Sequence, residues 1–204
     1  VEYMLSFCSD ESKRKEIKKY LANEVINYQG PNHGKDLLNM LWKIAQAAEY
    51  ERKVKVLYQR LEEHKKVERI LKPLGVLFSE YYFYMLAIID GVPSEYSKTN
   101  TPTIYRIDRI EKLEVLDEHF KIPYSERFKE QEFRNKTPLM WGGEIKRLKF
   151  WCNSQALDAV LDKIPTAKVV RKENEEYLIS AEVAGNGAEI WLRGQEGFKW
   201  VKSY

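Results

Sequence analysis

Only two cysteines, Cys8 and Cys152, occur in 204 residues, and they stand far apart. A disulfide framework is therefore not expected, and a reducing cytoplasm is the natural setting. Histidine is almost as scarce. His33, His64 and His119 share no ligand spacing with one another or with the cysteines, so no metal centre is expected. No apolar run approaches the ~20 residues that span a bilayer; the longest, around 81–89, is too short, and no membrane partner is expected. Charge of one sign is lacking too: 34 basic residues face 31 acidic ones, for a net +3. Net charge thus gives only a weak argument for nucleic acid, and any basic site must be local. The sequence has no nucleophile elbow, no Cys–His context and no phosphate loop, so the expectation is a protein that is not an enzyme and carries no cofactor. Val1-Glu2-Tyr3-Met4 lacks both an initiator Met and the basic-then-apolar layout of a signal peptide, which reads as a piece of a longer cytoplasmic chain.

What is present is an ordinary globular mixture, 44% hydrophobic and 32% charged, enough for a buried core. Tyrosine is frequent, with 13 copies. Its flat apolar face and polar tip suit both a half-buried sheet and a ligand platform. Along the chain, residues 9–28 read as a helix capped by Ser9 or Asp10, with Ile17, Tyr20, Leu21, Val25 and Tyr28 on one stripe and Lys13, Arg14, Lys15, Lys18 and Lys19 on a solvated face. Gly30-Pro31-Asn32-His33-Gly34 breaks that pattern, and a second helix follows over 35–50. At Lys53 the period changes from helical to alternating, with Val54, Val56 and Tyr58 on one face of a first strand. A charged turn at 61–66 leads to a strand over 67–77 around Pro73. The segment 81–89, apolar in both parities, reads as a central strand. A polar loop at 91–102 precedes a strand over 103–110 and another over 112–116. Several short strands with polar connectors predict a small antiparallel barrel.

Residues 120–138 read as a linker or short helix, punctuated by Pro123 and Pro138. Six elements follow: a strand at 144–152, a helix at 154–163 capped by Asn153, strands at 167–171 and 177–183, a helix at 186–193 and a strand at 198–202. The order βαββαβ is that of a ferredoxin-like unit. The expected class is therefore α+β, divided into a helical linker (1–50), a β-barrel (51–119), an interdomain linker (120–143) and a ferredoxin-like unit (144–204). Gly142-Gly143 and Gly185-Asn186-Gly187 read as turn chemistry, although the second could also receive an anion at a helix start. Glu62-Glu63 is a solvated acidic pair.

One stretch is unusual. Tyr81-Tyr82-Phe83-Tyr84-Met85-Leu86 is followed by Tyr105-Arg106-Ile107-Asp108-Arg109-Ile110. An aromatic strand beside a basic one offers π-faces and phosphate partners on a single sheet. The plain alternative is that the aromatics fill a central strand and that Arg106 or Arg109 pairs with Asp108 or a neighbouring acid.

These residues resemble the WYL domain family. The name-giving Trp-Tyr-Leu falls on Phe83-Tyr84-Met85, and the aromatic-Arg-hydrophobic-Asp-Arg-Ile strand on Tyr105 to Ile110. The tyrosine of the first strand falls on Tyr58, and an Arg-x-x-x-Pro on Arg69 and Pro73. The last third, with Trp191-Leu192, is similar to the extension that follows many such domains, and residues 1–50 to the helical linker in front of them. Phe83 and Met85 replace Trp and Leu, which removes the indole N–H but keeps large apolar side chains. The resemblance implies an Sm-like (SH3-like) barrel in a bacterial transcription factor. That barrel would sense single-stranded nucleic acid or a nucleotide in a homodimer, with duplex DNA gripped only by a winged helix-turn-helix head absent from this sequence. The ligand-binding residues it implies are Arg69, Tyr84, Arg106 and Arg109, with Lys55 and Tyr58 as outer members. Strict strand alternation puts Arg106 and Arg109 on opposite faces unless Arg109 sits at a strand end or bulge. The alternative is a structural dimerisation module without a ligand, in which those arginines are buried against carboxylates.

Overall fold

The computed structural model describes residues 10–20, 37–60, 65–91, 102–122 and 129–203, with backbone only from 200 onward. The chain divides into two compact units, 1–34 and 35–204. In the first, helix α1 (Glu11–Tyr20) starts where the Asp10 Oδ1 accepts from the backbone N–H of Ser12 and Lys13, at 2.9 and 3.1 Å. That capping satisfies donors the first turn leaves open. The helix buries no side chain. The rest of the expected stripe (Leu21, Val25, Tyr28), the break at 30–34, most of the charged turn at 61–66 and most of the loop at 91–102 lie outside the described residues.

The second unit opens with helix α2 (Leu37–Glu49), which lays Ile44 and Ala47 onto a five-stranded antiparallel sheet. Its strands are β1 (Arg52–Gln59), β2 (Lys66–Ser79), β3 (Tyr82–Ile89), β4 (Thr103–Arg106) and β5 (Ile110–His119). They lie in the order β4-β3-β2-β1-β5, and among the described residues no pairing closes β4 onto β5. Alternation sends Val54 and Val56 of β1, Leu71 of β2, Met85 and Ala87 of β3 and Tyr105 of β4 to the core under α2. β2 runs straight through Pro73, which has no N–H to give to a ladder. The register with β3 shifts between Pro73 and Gly75, so a bulge accommodates the proline. Asp90, at the end of β3, binds both Lys53 and Lys72 at 2.8 Å. These two lysines hold its carboxyl below the usual range.

The single strand expected over 103–110 is broken. Residues Ile107–Arg109 form a 3-10 turn between β4 and β5, and β5 is longer than the expected 112–116. Ile107 and Ile110 are both fully buried, and a spacing of three reaches one side only if the chain turns.

The segment expected as a linker is partly built. Helix α3 (Glu130–Lys136) and the turn Pro138–Met140 place Phe133 and Met140 against Leu77, Tyr84 and Leu86 on the sheet face away from α2. Next come β6 (Ile145–Asn153), α4 (Ser154–Lys163), β7 (Lys168–Glu173), β8 (Glu176–Ala184), α5 (Gly187–Arg193) and β9 (Phe198–Ser203). Their antiparallel sheet has the order β7-β8-β6-β9. α4 and α5 pack one face of it through Val160, Ile164, Ala188 and Leu192, against Leu148, Phe150, Cys152, Ile179, Ala181 and Val183. Asn153 caps α4, as expected, by accepting from the Ala156 N–H at 2.9 Å. At Gly185 (φ +60°) a Cβ would meet the Gly142 carbonyl oxygen, and at Gly187 it would meet that of Pro138. Only glycine allows these two turns to touch.

Candidate functional site

Alternation along β3 and β4 sorts the aromatic and basic residues into two groups. The first lies on the sheet face that carries Phe133 and Met140. Tyr84 and Arg106 are cross-strand partners there. The Arg106 guanidinium sits over the Tyr82 ring, its carbon 3.5 Å from the ring centroid. It also forks onto Asp108, Nε to Oδ1 at 3.1 Å and Nη2 to Oδ2 at 2.6 Å. Arg106 is 23% exposed and Asp108 11%. Burial works against the charge on Arg106. The hydrogen bond and charge of Asp108 outweigh it, so the guanidinium is held still more firmly protonated. Tyr84 is buried, and burial raises its hydroxyl pKa against the opposing pull of Arg106 and Arg109. Because Arg109 lies in the 3-10 turn rather than in a strand, strict alternation does not apply to it. Its charge and that of Arg106 both reach Tyr84.

The second group lies on the opposite face, at the edge of the core under α2. Tyr58 and Tyr105 meet edge to face, with ring centroids 5.0 Å apart. Burial pushes the Tyr105 hydroxyl up to about 12, and the positive charges that temper the shift are Arg69 and Arg60. Arg69 pairs across the ladder with Val56 and so shares this face. It is half-buried, its Nη1 donates to the Glu68 carbonyl at 3.3 Å, and it has no carboxylate partner among the described residues. The two groups are joined at one point, where the Tyr58 Oη accepts from the Arg106 backbone N–H at 3.3 Å.

The six residues expected from sequence therefore do not form a single cluster. Arg106, Arg109 and Tyr84 gather on one face, and Arg69 and Tyr58 on the other. Lys55 is next to neither group: one residue out of step with Val54 and Val56, it forms an ion pair with Glu68 at 2.9 Å. Tyr82, Tyr105, Asp108 and Arg60 were not among the expected site residues. Their signal was present in the i, i+2 spacing of Arg106 and Asp108 and in the alternation that pairs Tyr105 with Tyr58 rather than with Tyr84. Chemically, the first group is a clamped cation stacked on a ring. The second is an aromatic pair flanked by guanidinium groups that have no carboxylate partner among the described residues. Among the described residues no group of three or more His, Cys, Asp or Glu could hold a metal, and no helix is long and apolar enough to cross a membrane. His119 hydrogen-bonds the Tyr50 carbonyl at 3.0 Å, a local tie at the end of β5.

Residues 39–115 match the model of the WYL domain family. No curated protein matches. Among solved structures, the chain is similar to proteasome accessory factor B/C (PafBC) of Arthrobacter aurescens at 17% identity, with a TM-score of 0.39 over 85% of this chain and 26% of that one. It is also similar to a CRISPR Cas-related protein at 16% identity, with a TM-score of 0.48 over 81% of this chain and 46% of that one. The chain thus spans about a quarter of the first and under half of the second.

Proposed function

We infer that this chain, whose residues 39–115 form a WYL domain, is the effector-sensing and oligomerisation part of a bacterial transcriptional regulator. It binds single-stranded nucleic acid or a nucleotide, and a helix-turn-helix head outside this sequence contacts duplex DNA. The observation that carries the ligand class is the Tyr58–Tyr105 pair with Arg69 and Arg60 charging its surroundings. Guanidinium groups grip phosphate in a planar fork, and aromatic faces receive bases. In this reading Arg69 and Tyr58 touch the ligand. Arg106 is a positioning residue, fixed by Asp108 and tied to Tyr58 through its backbone. Tyr84 belongs to the core, Arg109 tunes the charge beside it, and Lys55 lies at the margin.

The strand order supports the Sm-like form of the first sheet. Laid flat, five strands would separate β4 from β5 by four gaps, roughly 19 Å. The chain from 106 to 110 reaches at most roughly 14 Å. That reach favours a sheet curled until its edge strands approach each other, as in a barrel. The second sheet places β8 between β6 and β7, which supports a ferredoxin-like unit over 144–204, with 1–50 and 120–143 as linkers. The clamp of Arg106 on Asp108 is the observation that favours the second reading, a ligand-free dimerisation module.

Fluorescence anisotropy with labelled oligothymidylate separates the two. Under the sensing reading, Arg69→Ala keeps the fold and weakens binding roughly tenfold. The phosphate contact of Arg69 contributes about −0.7 to the log–log salt slope, and the variant should lose that share. If a folded Arg69→Ala protein binds every nucleic acid tested as well as the parent does, the sensing reading falls and the dimerisation module gains.

A further inference from the structure

The second sheet has one face packed by α4 and α5 and one face open. Leu148, Phe150 and Cys152 point to the helices, so alternation sends Arg147, Lys149 and Trp151 of the central strand β6 to the open side. The register adds Lys168 and Arg171 from β7, which pair with Ser180 and Leu178 of β8. It also adds Lys199 from β9, the partner of Trp151. The Arg171 guanidinium carbon lies 5.2 Å from the centroid of the Trp151 ring, and Arg147 is 63% exposed. A depression of about 370 Å³ is lined by Ile145, Lys146, Arg147, Lys149 and Glu182. The acids on this face are largely matched already. Glu182 is held by Lys136 at 2.6 Å, Glu173 by Arg171 at 3.1 Å and Glu176 by Lys199 at 2.6 Å. Lys149 and Lys168 have no ion pair among the described residues, and Arg147 reaches Glu182 only at 4.0 Å.

We propose that this open face is a second binding surface for a single-stranded nucleic acid, with the Trp151 ring as the base platform and Arg147, Lys149 and Lys168 as phosphate contacts. An aromatic on a central strand, with Lys149 beside it on the same strand and Arg147 and Lys168 further along the face, is what a four-stranded sheet needs to hold an unpaired strand. The ring stacks any base because every base has a π-face, and the cations follow the backbone. Duplex DNA fits this chemistry poorly, because its bases are already stacked on one another and leave no free face for the Trp151 ring. The face rests on residues wholly separate from Tyr58, Arg69 and Tyr105.

The test uses the full chain and the same labelled oligothymidylate. Trp151→Ala should weaken binding roughly 5- to 140-fold, the loss of one stacked base. Because half-buried Trp151 also supports the sheet, a second variant changes only charge. Arg147→Ala with Lys149→Ala should reduce the magnitude of the log–log salt slope by about 1.4, two phosphate contacts at about 0.7 each. Both effects should persist in an Arg69→Ala background. If the charge variant keeps both the affinity and the salt slope of the parent while Arg69→Ala weakens binding, this surface is refuted and the site near Tyr58 stands. If the charge variant alone weakens binding, this surface stands and the other site falls. If the same variant loses binding to phosphatidylserine vesicles but not to the oligonucleotide, the face is a lipid surface and the proposal is overturned.

Discussion

Replacing Arg106 by Ala should destabilise the protein, whatever it does to ligand binding. Two charge-assisted hydrogen bonds to Asp108 disappear, each contributing roughly 1.5–3 kcal/mol when well formed. The contact with the Tyr82 ring at 3.5 Å adds roughly 1 kcal/mol. Truncation also takes from Asp108, which is only 11% exposed, its two hydrogen bonds to Arg106. Breaking a fully buried pair costs about 3–5 kcal/mol. With Arg106 at 23% exposure, water repays part of that loss, and the expected destabilisation is roughly 2–4 kcal/mol. Urea unfolding followed by circular dichroism measures it. The midpoint should fall while the slope stays constant, because the surface exposed on unfolding is unchanged. Asp108→Ala should have a similar effect, and the double variant should be less destabilised than the sum of the two by roughly 1.5–3 kcal/mol. Additivity within about 0.5 kcal/mol would show that the pair is not coupled and would remove the argument that Arg106 positions the strand. Arg69→Ala serves as the contrast. With no carboxylate partner among the described residues, it should shift stability by less than about 1 kcal/mol.

Tyr105 predicts an alkaline transition. A hydroxyl raised from 10.0 to about 12 in the fold contributes stability that is complete below pH 10 and lost as pH climbs through 12. The loss is roughly 2.7 kcal/mol for two units, and unfolding curves should lose this component in Tyr105→Phe; an unchanged pH dependence would contradict it. Gly185→Ala should destabilise by roughly 2–4 kcal/mol in the same urea assay, combining a left-handed backbone with a clash against the Gly142 carbonyl. Asn153→Ala should lower stability by about 1 kcal/mol through loss of the α4 cap; a melting temperature equal to the parent's would show that the cap does nothing.

The legibility of this chain varies with the kind of signal. β3 could be read because residues 84–87 are all buried, so its run is apolar in both parities. In the second sheet β6 and β8 alternate, whereas β7 is exposed along its whole length, and α4 was clear from its cap. The break at 107–109 was hidden because Tyr105 to Ile110 alternates well enough to pass for one strand. Only the joint burial of Ile107 and Ile110 reveals the turn. α3 was ambiguous with linker because it buries a single side chain, Phe133, too little to make a periodic stripe. Of the candidate site, the sequence singled out Arg69, Arg106 and Arg109 but not their surroundings. Whether a guanidinium meets a carboxylate, a ring or water depends on which face each strand presents. A one-residue difference in register reverses that, and it separates Arg69 from Arg106 here.

The contact between the turns at 142–143 and 185–187 also has a meaning for how such a sequence can change over time. Positions some forty residues apart leave no room for a methyl group on either side. A larger residue at 185 would have to be matched by withdrawal of the 141–142 backbone, and one at 187 by withdrawal of the carbonyl at 138. Among descendants of this chain the glycines at 143 and 185 should therefore be kept or lost together, and the glycine at 187 together with the shape of the 138–141 turn. A lineage that loses one should show a deletion or a rebuilt turn at the other end of the contact.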